Sequence, residues 1–141
     1  MRGLLFGVIF AFVLLSGCST EQVLVDESST VPADYFKVYG FTGTEGAVIS
    51  VEFEVISGGN VDLFLMNEGG YEEYQGVING TGSVFHYYVA GSVLNTQGKN
   101  YEFELPSDGT YYIVIDNLTS GVEGEATPSD DVTFQIKVIG K

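Results

Sequence analysis

The chain has 141 residues, of which 19 are acidic and five are basic, so its formal net charge at neutral pH is −14. Nucleic acids and anionic lipid surfaces are bound through clustered Lys and Arg, and this balance therefore excludes both as charge-driven partners. The single Cys and the single His likewise exclude an intrachain disulfide and a zinc site built on several histidines. The acidity is typical of a soluble exported protein, although cation binding or adaptation to high salt would produce it too.

The N-terminus has the layout of an export signal. Arg2 precedes an uncharged apolar run, 4–15, which matches the n-region and h-region of a signal peptide. That run is too short to span a bilayer as a helix, which takes roughly 20 residues. The sequence Leu15-Ser16-Gly17-Cys18 at its end resembles the lipobox of prokaryotic lipoproteins, which implies a signal peptide over 1–17 and a lipid on the Cys18 thiol. An ordinary signal peptide followed by an incidental cysteine, or an uncleaved anchor, is the alternative.

Residues 18–33 are predicted to form the lipidated Cys and a flexible tether. The segment after Cys18 has several Ser and Thr, contains Pro32 and shows no sustained hydrophobic period. The remaining residues, 34–141, are sufficient for one domain. We therefore expect a single β-sandwich domain held away from the lipid headgroups by its linker.

From Tyr35 onward, apolar residues alternate with polar ones at a period of two, which is typical of strands with one buried face. In the clearest example, Phe53 stands between Glu52 and Glu54. Two segments are apolar on both faces and are expected at the centre of a sheet. The predicted strands are 35–41, 47–55, 61–66, 83–89, 101–105, 111–115 and 132–138.

Turn sequences separate several of these strands. The segments 57–60 (SGGN) and 106–109 (PSDG) contain Gly, which supplies the positive φ that tight turns require. No segment carries a sustained helical stripe, and 68–76 is expected to hold at most a single helical turn. The fold class is therefore predicted to be all-β: an antiparallel, jelly-roll-like β-sandwich of about seven to eight strands, with no significant helix after the signal peptide.

Three segments near the C-terminus form a recognisable series. An aromatic-rich strand at 101–105 (YEFEL) is followed by DGTYYIVIDN at 108–117 and by VTFQIKV at 132–138. This series resembles the GOLD domain, and the upstream segment 48–66 is similar both to that family and to the pre-peptidase C-terminal domain. The resemblance implies a sandwich of about eight strands that contacts proteins or glycans and has no enzyme activity. Val114 stands where eukaryotic cargo-sorting GOLD domains carry a disulfide cysteine, so that bridge is not expected here.

The sequence offers little for catalysis. His86, the only histidine, lies in an aromatic stretch at 84–88 (VFHYY) whose motif supplies neither a nucleophile nor an orienting partner. A glycosidase-type pair of carboxylates can arise among 19 acids, but no spacing singles one out. We therefore predict that the protein is not an enzyme, and a hydrolase with an unrecognised carboxylate pair is the least favoured alternative.

Acidic side chains at predicted loop ends are candidate Ca²⁺ ligands, because carboxylate and carbonyl oxygens are what Ca²⁺ prefers. No EF-hand or nonapeptide spacing is present. The alternative is that these side chains form an Asx turn, end a strand or are solvated. Calcium is the one cofactor that the sequence suggests, and its candidate ligands are Asp108, Asp116, Asp130 and Asp131.

The segment 69–76 (GGYEEYQG) is the best candidate for a partner-binding surface. It places Tyr71 and Tyr74 in a Gly-flanked predicted loop, where the rings could stack on a sugar or on an apolar side chain of a partner. The alternative is that both rings cap the open end of the sandwich.

Two Asn-X-Thr sequons are candidate glycosylation sites. They begin at Asn79 and Asn117, and they would be modified in an archaeal host and bare in most bacteria.

Together these features predict a membrane-anchored, extracytoplasmic lipoprotein that acts as a non-catalytic binding module. Its partners would be the membrane, through the N-terminal lipid, and a protein or glycan at the cell surface or on the periplasmic side. A carbohydrate- or Ca²⁺-binding jelly-roll module is the alternative.

Overall fold

The computed structural model describes residues 8–14 and 21–141. Eight strands between Gln22 and Gly140 form two sheets, and a ninth, β1, joins one of them at its edge. In chain order the elements are β1 (Val8–Leu14), β2 (Gln22–Val31), β3 (Tyr35–Gly43), β4 (Val48–Ser57), β5 (Val61–Asn67), α1 (Glu68–Ile78), a 3₁₀ turn (Val89–Gly91), β6 (Val93–Thr96), β7 (Gly98–Glu104), β8 (Gly109–Asn117) and β9 (Val132–Gly140).

The two sheets pack face to face as a sandwich. The five-stranded sheet has the order β1-β3-β8-β5-β6, and the four-stranded sheet has the order β2-β9-β4-β7. The pairs among β2 to β9 are antiparallel, whereas β1 runs parallel to β3. The predicted all-β antiparallel sandwich of seven to eight strands is therefore confirmed. The described part of the predicted signal peptide, Val8–Leu14, is the edge strand β1, while Cys18 and the lipobox lie outside the described residues.

The inner faces of the sheets form the main hydrophobic core. Phe53 and Phe134 point inward as their alternation predicts, and their ring centroids lie 5.7 Å apart. Tyr39 packs edge-on against Phe134 from the opposite sheet. Phe103, also predicted to point inward, is only half-buried, because β7 is an edge strand. Full burial of each large apolar side chain contributes about 1.5–3 kcal/mol to folding.

The central strands β5 and β8 are buried on both faces, as predicted from their continuous apolar runs. Leu63 and Leu65 point into the inter-sheet core. Phe64 and Met66 alternate with them and point to the outer face, where α1 and neighbouring loops cover a second hydrophobic cluster. One sheet therefore has apolar layers on both sides, and the four-stranded sheet is left with a polar outer face.

The prediction of no significant helix is wrong for α1. Glu68–Ile78 forms a helix of 11 residues, capped at its start by the Asn67 side chain, whose Oδ1 accepts a 2.8 Å hydrogen bond from the Gly70 N–H. Two glycines in the first turn lower the intrinsic helix propensity, and an isolated helix of this length is marginal in water. Packing of Tyr71 and Tyr74 against the sheet overrides that weakness.

The predicted flexible tether over 18–33 is wrong for residues 22–31, which form β2. This strand pairs with β9 from Gln22 to Val31, so it belongs to the sandwich. Its inward-facing positions include Glu27 and Ser29 between the apolar Val25 and Val31, and the Ser29 hydroxyl accepts a hydrogen bond from the Lys37 ammonium. Because polar residues occupy half of the inner positions, the hydrophobic period that identifies a strand is missing.

The predicted strand at 83–89 is also wrong. Most of this segment is irregular, although Phe85 and Tyr87 both pack on Phe64 with ring centroids 5.2 and 4.9 Å apart. The alternation of apolar and polar residues in 83–89 therefore correctly indicates a buried side. However, the segment lies over the outer face of the sheet and forms no strand within it. Among the described residues, no helix has the length and apolar character needed to cross a membrane.

Candidate functional site

The outer face of the four-stranded sheet carries mainly acidic side chains. Period-two alternation in β4 and β7 turns their polar residues away from the core, and Asp26 occupies an outward position of β2, because successive side chains of a strand point to opposite faces. Strand pairing then brings three separate acidic stretches onto one surface. This surface, called the acidic face below, consists of the exposed residues Asp26, Glu52, Glu54, Glu102 and Glu104.

A row of polar residues crosses the acidic face at right angles to its strands. Asp26 of β2 pairs with Lys137 of β9, which pairs with Glu52 of β4, which in turn pairs with Asn100 of β7. Lys137 is therefore the direct cross-strand neighbour of an acidic residue on each side. A positive charge at this register position reduces the repulsion among the surrounding carboxylates.

The same row crosses an open depression of about 480 Å³. Three carboxylates and one ammonium belong to outward-facing residues that line it, and the potential in the depression is consequently negative. Concave surfaces lined by one sign of charge concentrate ligands of the opposite sign. The outward-facing lining residues that carry charge are Asp26, Glu52, Glu54 and Lys137.

The predicted partner-binding tyrosines are not at the surface. Tyr74 is 0% exposed and Tyr71 is 7% exposed, because both lie on the side of α1 that faces the sheet. The Tyr71 ring stacks on Tyr112 with centroids 4.4 Å apart, and the Tyr74 hydroxyl donates a 2.8 Å hydrogen bond to Asp116 Oδ2. The binding-loop prediction is therefore wrong, and the rings pack on the outer face of the five-stranded sheet instead of capping the open end of the sandwich.

The four predicted calcium ligands do not converge. Asp108 Oδ1 accepts the Glu45 N–H at 2.7 Å, Asp130 Oδ1 accepts the Gly59 N–H at 3.0 Å, and Asp131 Oδ1 accepts the Ala33 N–H at 3.3 Å. Asp116 is buried beneath α1, with both carboxylate oxygens occupied by protein donors. Within the described ranges, no group of three or more His, Cys, Asp or Glu side chains is placed to hold a metal ion. The predicted calcium site is thus not assembled.

The two sequons differ in accessibility. Asn79 is exposed at the C-terminal end of α1. Asn117 is 2% exposed, and its Nδ2, the atom to which a glycan would be joined, donates hydrogen bonds to the Val31 and Asp130 carbonyl oxygens. The folded protein therefore cannot accept a glycan at Asn117, and Asn79 stays a prediction.

His86 lies on the surface, where its Nδ1 is 3.0 Å from Glu73 Oε2 of α1. This exposed pair joins the irregular 79–88 segment to the helix. Exposed contacts of this kind contribute about 0–1 kcal/mol, so this one adds little to stability.

Sequence reasoning missed the acidic face as a unit. The outward positions of Glu52 and Glu102 are visible in the alternation of their strands. However, Glu52 and Glu102 lie on the same surface only because strands about 50 residues apart in the sequence pair with each other. Asp26, in addition, lies within the predicted tether. The one signal that could have pointed to a face was the recurrence of Glu at alternate outward positions in two predicted strands.

No protein-family model and no curated protein sequence matches this chain. Solved structures do share its fold. The periplasmic g-type lysozyme inhibitor PliG of Aeromonas hydrophila superposes with a TM-score of 0.51 at 12% identity, covering 96% of this chain and 100% of its own. PliG of Salmonella Typhimurium gives a TM-score of 0.50 at 15% identity, covering 92% of this chain and 97% of its own.

The pre-peptidase C-terminal domain of collagenase from Bacillus anthracis is similar to the same extent. Its TM-score is 0.50 at 15% identity, and the match covers 94% of this chain and 97% of that domain. The predicted resemblance to a pre-peptidase C-terminal sandwich is thus confirmed at the level of the fold. At such low identity the similarity shows the fold alone.

Proposed function

We propose that this protein is an extracytoplasmic, non-catalytic module that binds a basic partner protein through the acidic face. The observation that carries the proposal is the cross-strand arrangement of Asp26, Glu52 and Glu54 around an open depression with a single lysine. A broad, open and negatively charged sheet face suits the side chains of another protein better than an enclosed small molecule.

The fold of the similar structures supports this class of function. PliG is a periplasmic inhibitor of g-type lysozyme, so the same sandwich serves elsewhere in the cell envelope to bind an enzyme. We carry over only the general role, because 12–15% identity does not extend to a binding surface. The chemistry of the partner is inferred from the charge of this chain.

The charge defines how such binding would behave. Carboxylates on an exposed face accelerate the approach of a cationic partner and set its orientation, and their effect weakens when salt shortens the Debye length below about 8 Å. Lys137 and the Lys141 ammonium, which pairs with Glu102, lie at this sheet and would repel a partner docked in the wrong register. We therefore expect binding to be selective and strongly dependent on ionic strength.

The proposal includes attachment to the membrane through a lipid on Cys18. The supporting observation is the sequence Leu15-Ser16-Gly17-Cys18 after an apolar run of signal-peptide length. An anchored module would present the acidic face to soluble proteins outside the cytoplasm.

Cross-linking on native membranes, followed by titration of the captured protein against the purified full chain, tests the proposal. The decisive comparison is Glu52→Lys/Glu54→Lys against Glu72→Lys/Glu123→Lys. Both variants change the net charge equally, but the second changes exposed residues on α1 and in a loop, away from the acidic face. Synthetic decalysine serves as a probe of charge alone, and g-type lysozyme as a defined protein probe.

We expect the face variant to bind the captured partner at least tenfold more weakly and the control variant to bind within twofold of the wild type. Raising the salt concentration from 50 to 500 mM should weaken wild-type binding. A captured partner without a basic surface, or equal binding by the two variants, contradicts the proposal.

A further inference from the structure

Two carboxylates face each other in the interior of the five-stranded sheet. Asp62 of β5 and Asp116 of β8 are direct cross-strand partners and are 0% and 1% exposed. Directly opposite residues on antiparallel strands point to the same face, with Cβ atoms about 4.5–5.5 Å apart. That face is the one covered by α1, because Phe64 and Met66, which share the alternation of Asp62, pack there.

Three of the four carboxylate oxygens have donors in the protein. Asp62 Oδ1 accepts the N–H groups of Asn95 at 2.8 Å and Ala126 at 2.9 Å. Asp116 Oδ1 accepts the Leu118 N–H at 2.9 Å, and its Oδ2 accepts the Tyr74 hydroxyl at 2.8 Å. The pair therefore connects β5, β8, α1 and the 118–131 segment.

The fourth oxygen, Asp62 Oδ2, is buried and has no hydrogen-bond partner. An ionised carboxylate in that condition loses its hydration without compensation, and a second anion directly across the strand adds repulsion. A single proton on either carboxyl neutralises one of the two charges, and on Asp62 Oδ2 it also turns an unpaired acceptor into a donor.

The groups that act electrostatically on the pair are all acids. Glu125 of the 118–131 segment raises the pKa of both carboxyls, and Tyr74, beside Tyr71 on α1, is itself a weak acid. Burial is the main cause in each case, and it raises the pKa of Asp62 to about 6 and that of Asp116 to about 8. The hydrogen bonds from Asn95, Ala126, Leu118 and Tyr74 oppose this change without cancelling it.

We propose that Asp62 and Asp116 form a buried proton-binding site that holds one proton at neutral pH and keeps the 118–131 segment attached to the sheet. Loss of the proton leaves two adjacent buried anions. Two buried anions become more stable when water reaches them, and the cover over the pair is least extensively attached at the irregular segment that holds Ala126 and Leu118. The site thus couples external pH to the order of one loop, independently of any partner on the acidic face.

Asp62→Asn tests the site, because its amide can keep the Oδ1 contacts and donate from the position of Oδ2, imitating the proton. Titration of ¹³C-carboxyl-labelled Asp by NMR should show two coupled transitions above pH 5 in the wild type, and Asp62→Asn should abolish one of them. Hydrogen exchange at the Ala126 and Leu118 amides, corrected for intrinsic rates, should lose at least tenfold protection between pH 6 and 9 in the wild type but not in Asp62→Asn. Glu123→Gln, an exposed change in the same segment, should behave like the wild type.

Asp116→Asn provides a second route if Asp62→Asn fails to fold, since it also removes one of the two charges. Titration of both carboxyls below pH 5 would overturn the proposal. So would protection of Ala126 and Leu118 that is independent of pH, or an unchanged pH response in both variants. If Ca²⁺ alone restored the hydrogen-exchange protection of these amides at pH 9, the pair would be a metal site, and the proposal of a proton-binding site would also be overturned.

Discussion

The Tyr74 hydroxyl and Asp116 Oδ2 are joined by a 2.8 Å hydrogen bond inside the protein, where both residues are almost fully buried. This contact links α1 to the central strand β8. Tyr74→Phe keeps the ring contacts with Phe36 and Phe85 but removes the donor. We expect a loss of about 1–3 kcal/mol in the free energy of unfolding, the usual consequence of leaving a buried acceptor unpaired. Urea denaturation measures it, and Tyr87→Phe, at a half-buried ring on the same cluster, should cost less than about 0.5 kcal/mol.

The free energy of unfolding should fall as the pH rises from 5 to 8. The pKa values of Asp62 and Asp116 are raised in the folded state to about 6 and about 8, whereas an unfolded Asp titrates near 3.9. The folded chain therefore binds more protons than the unfolded chain between these values. The contribution of the pair to stability is complete below pH 4 and is lost as the pH rises to 8. The loss is about 3 kcal/mol per pH unit between pH 4 and 6, where both folded carboxyls hold an extra proton, and about 1 kcal/mol per pH unit between pH 6 and 8, where one does.

Urea denaturation at several pH values, repeated at 0.5 M NaCl, separates this effect from the general repulsion of an acidic chain. Screening weakens repulsion between surface charges but has little influence on the buried pair. A slope that vanishes in high salt, or one that is undiminished in Asp116→Asn, would contradict the assignment to this pair.

The first turn of α1 offers a matched pair of glycine substitutions. A Cβ at Gly70 would lie 2.4 Å from the His86 carbonyl oxygen, which is backbone and cannot move away easily. A Cβ at Gly69 would meet nothing nearer than Asn67 Oδ1 at 3.6 Å. Gly70→Ala should therefore destabilise the protein by about 1–3 kcal/mol, as overpacking does. Gly69→Ala should stabilise it by up to about 1 kcal/mol through helix propensity. Thermal melts that rank the two in the opposite order would show that the helix does not press on the 79–88 segment.

Substitution by Ala should lower the free energy of unfolding strongly at the inward-facing positions of β9 and hardly at its outward-facing positions. Phe134→Ala removes a fully buried ring that contacts Phe53 and Tyr39, so we expect a loss of about 3–5 kcal/mol. Phe103→Ala should cost less, because this ring is half-buried on an edge strand. Gln135→Ala, next in sequence but exposed, should stay within about 0.5 kcal/mol. Equal losses at 134 and 135 in chemical denaturation would mean that the faces are assigned wrongly.

The proposed lipid anchor predicts the behaviour of Cys18→Ala. Without the thiol there is no site for the thioether, so the variant should leave the detergent phase and be poorly processed or released. Mass spectrometry of the wild-type protein should find Cys18 modified at a new N-terminus. An unmodified Cys18 in the mature chain would end this part of the proposal.

How far the sequence predicts the fold depends on how regular each element is. The strands around Phe53, Phe103 and Phe134 are predicted correctly, because apolar and polar residues alternate without interruption. β2 is missed because Glu27 and Ser29 occupy inward positions near the edge of the sandwich. α1 is missed because glycines open it and only tertiary packing of Tyr71 and Tyr74 makes it stable.

The candidate sites are less predictable for a different physical reason. A charged face or a buried pair is created when strands that are far apart in the sequence pair with each other. No local sequence pattern predicts that Asp62 lies opposite Asp116, or that Asp26 and Glu52 lie on the same row. The sequence identifies Asp116 only as the end of a strand and a candidate Ca²⁺ ligand. Its proximity to Asp62 follows from the register of β5 and β8, which no local pattern reveals.

The pairing of β2 with β9 determines how far the sandwich can move from the membrane. With a lipid on Cys18, only residues 19–21 separate the lipidated residue from the first strand residue, Gln22. A fully extended chain from residue 18 to residue 22 spans about 14 Å. Asp26 lies four residues farther along β2, or about another 14 Å. The acidic face would then stand within a few nanometres of the headgroups, and anionic lipids would tilt it outward by repulsion. The module would consequently stay within a thin layer at the membrane surface, and a partner would have to enter that layer to be bound.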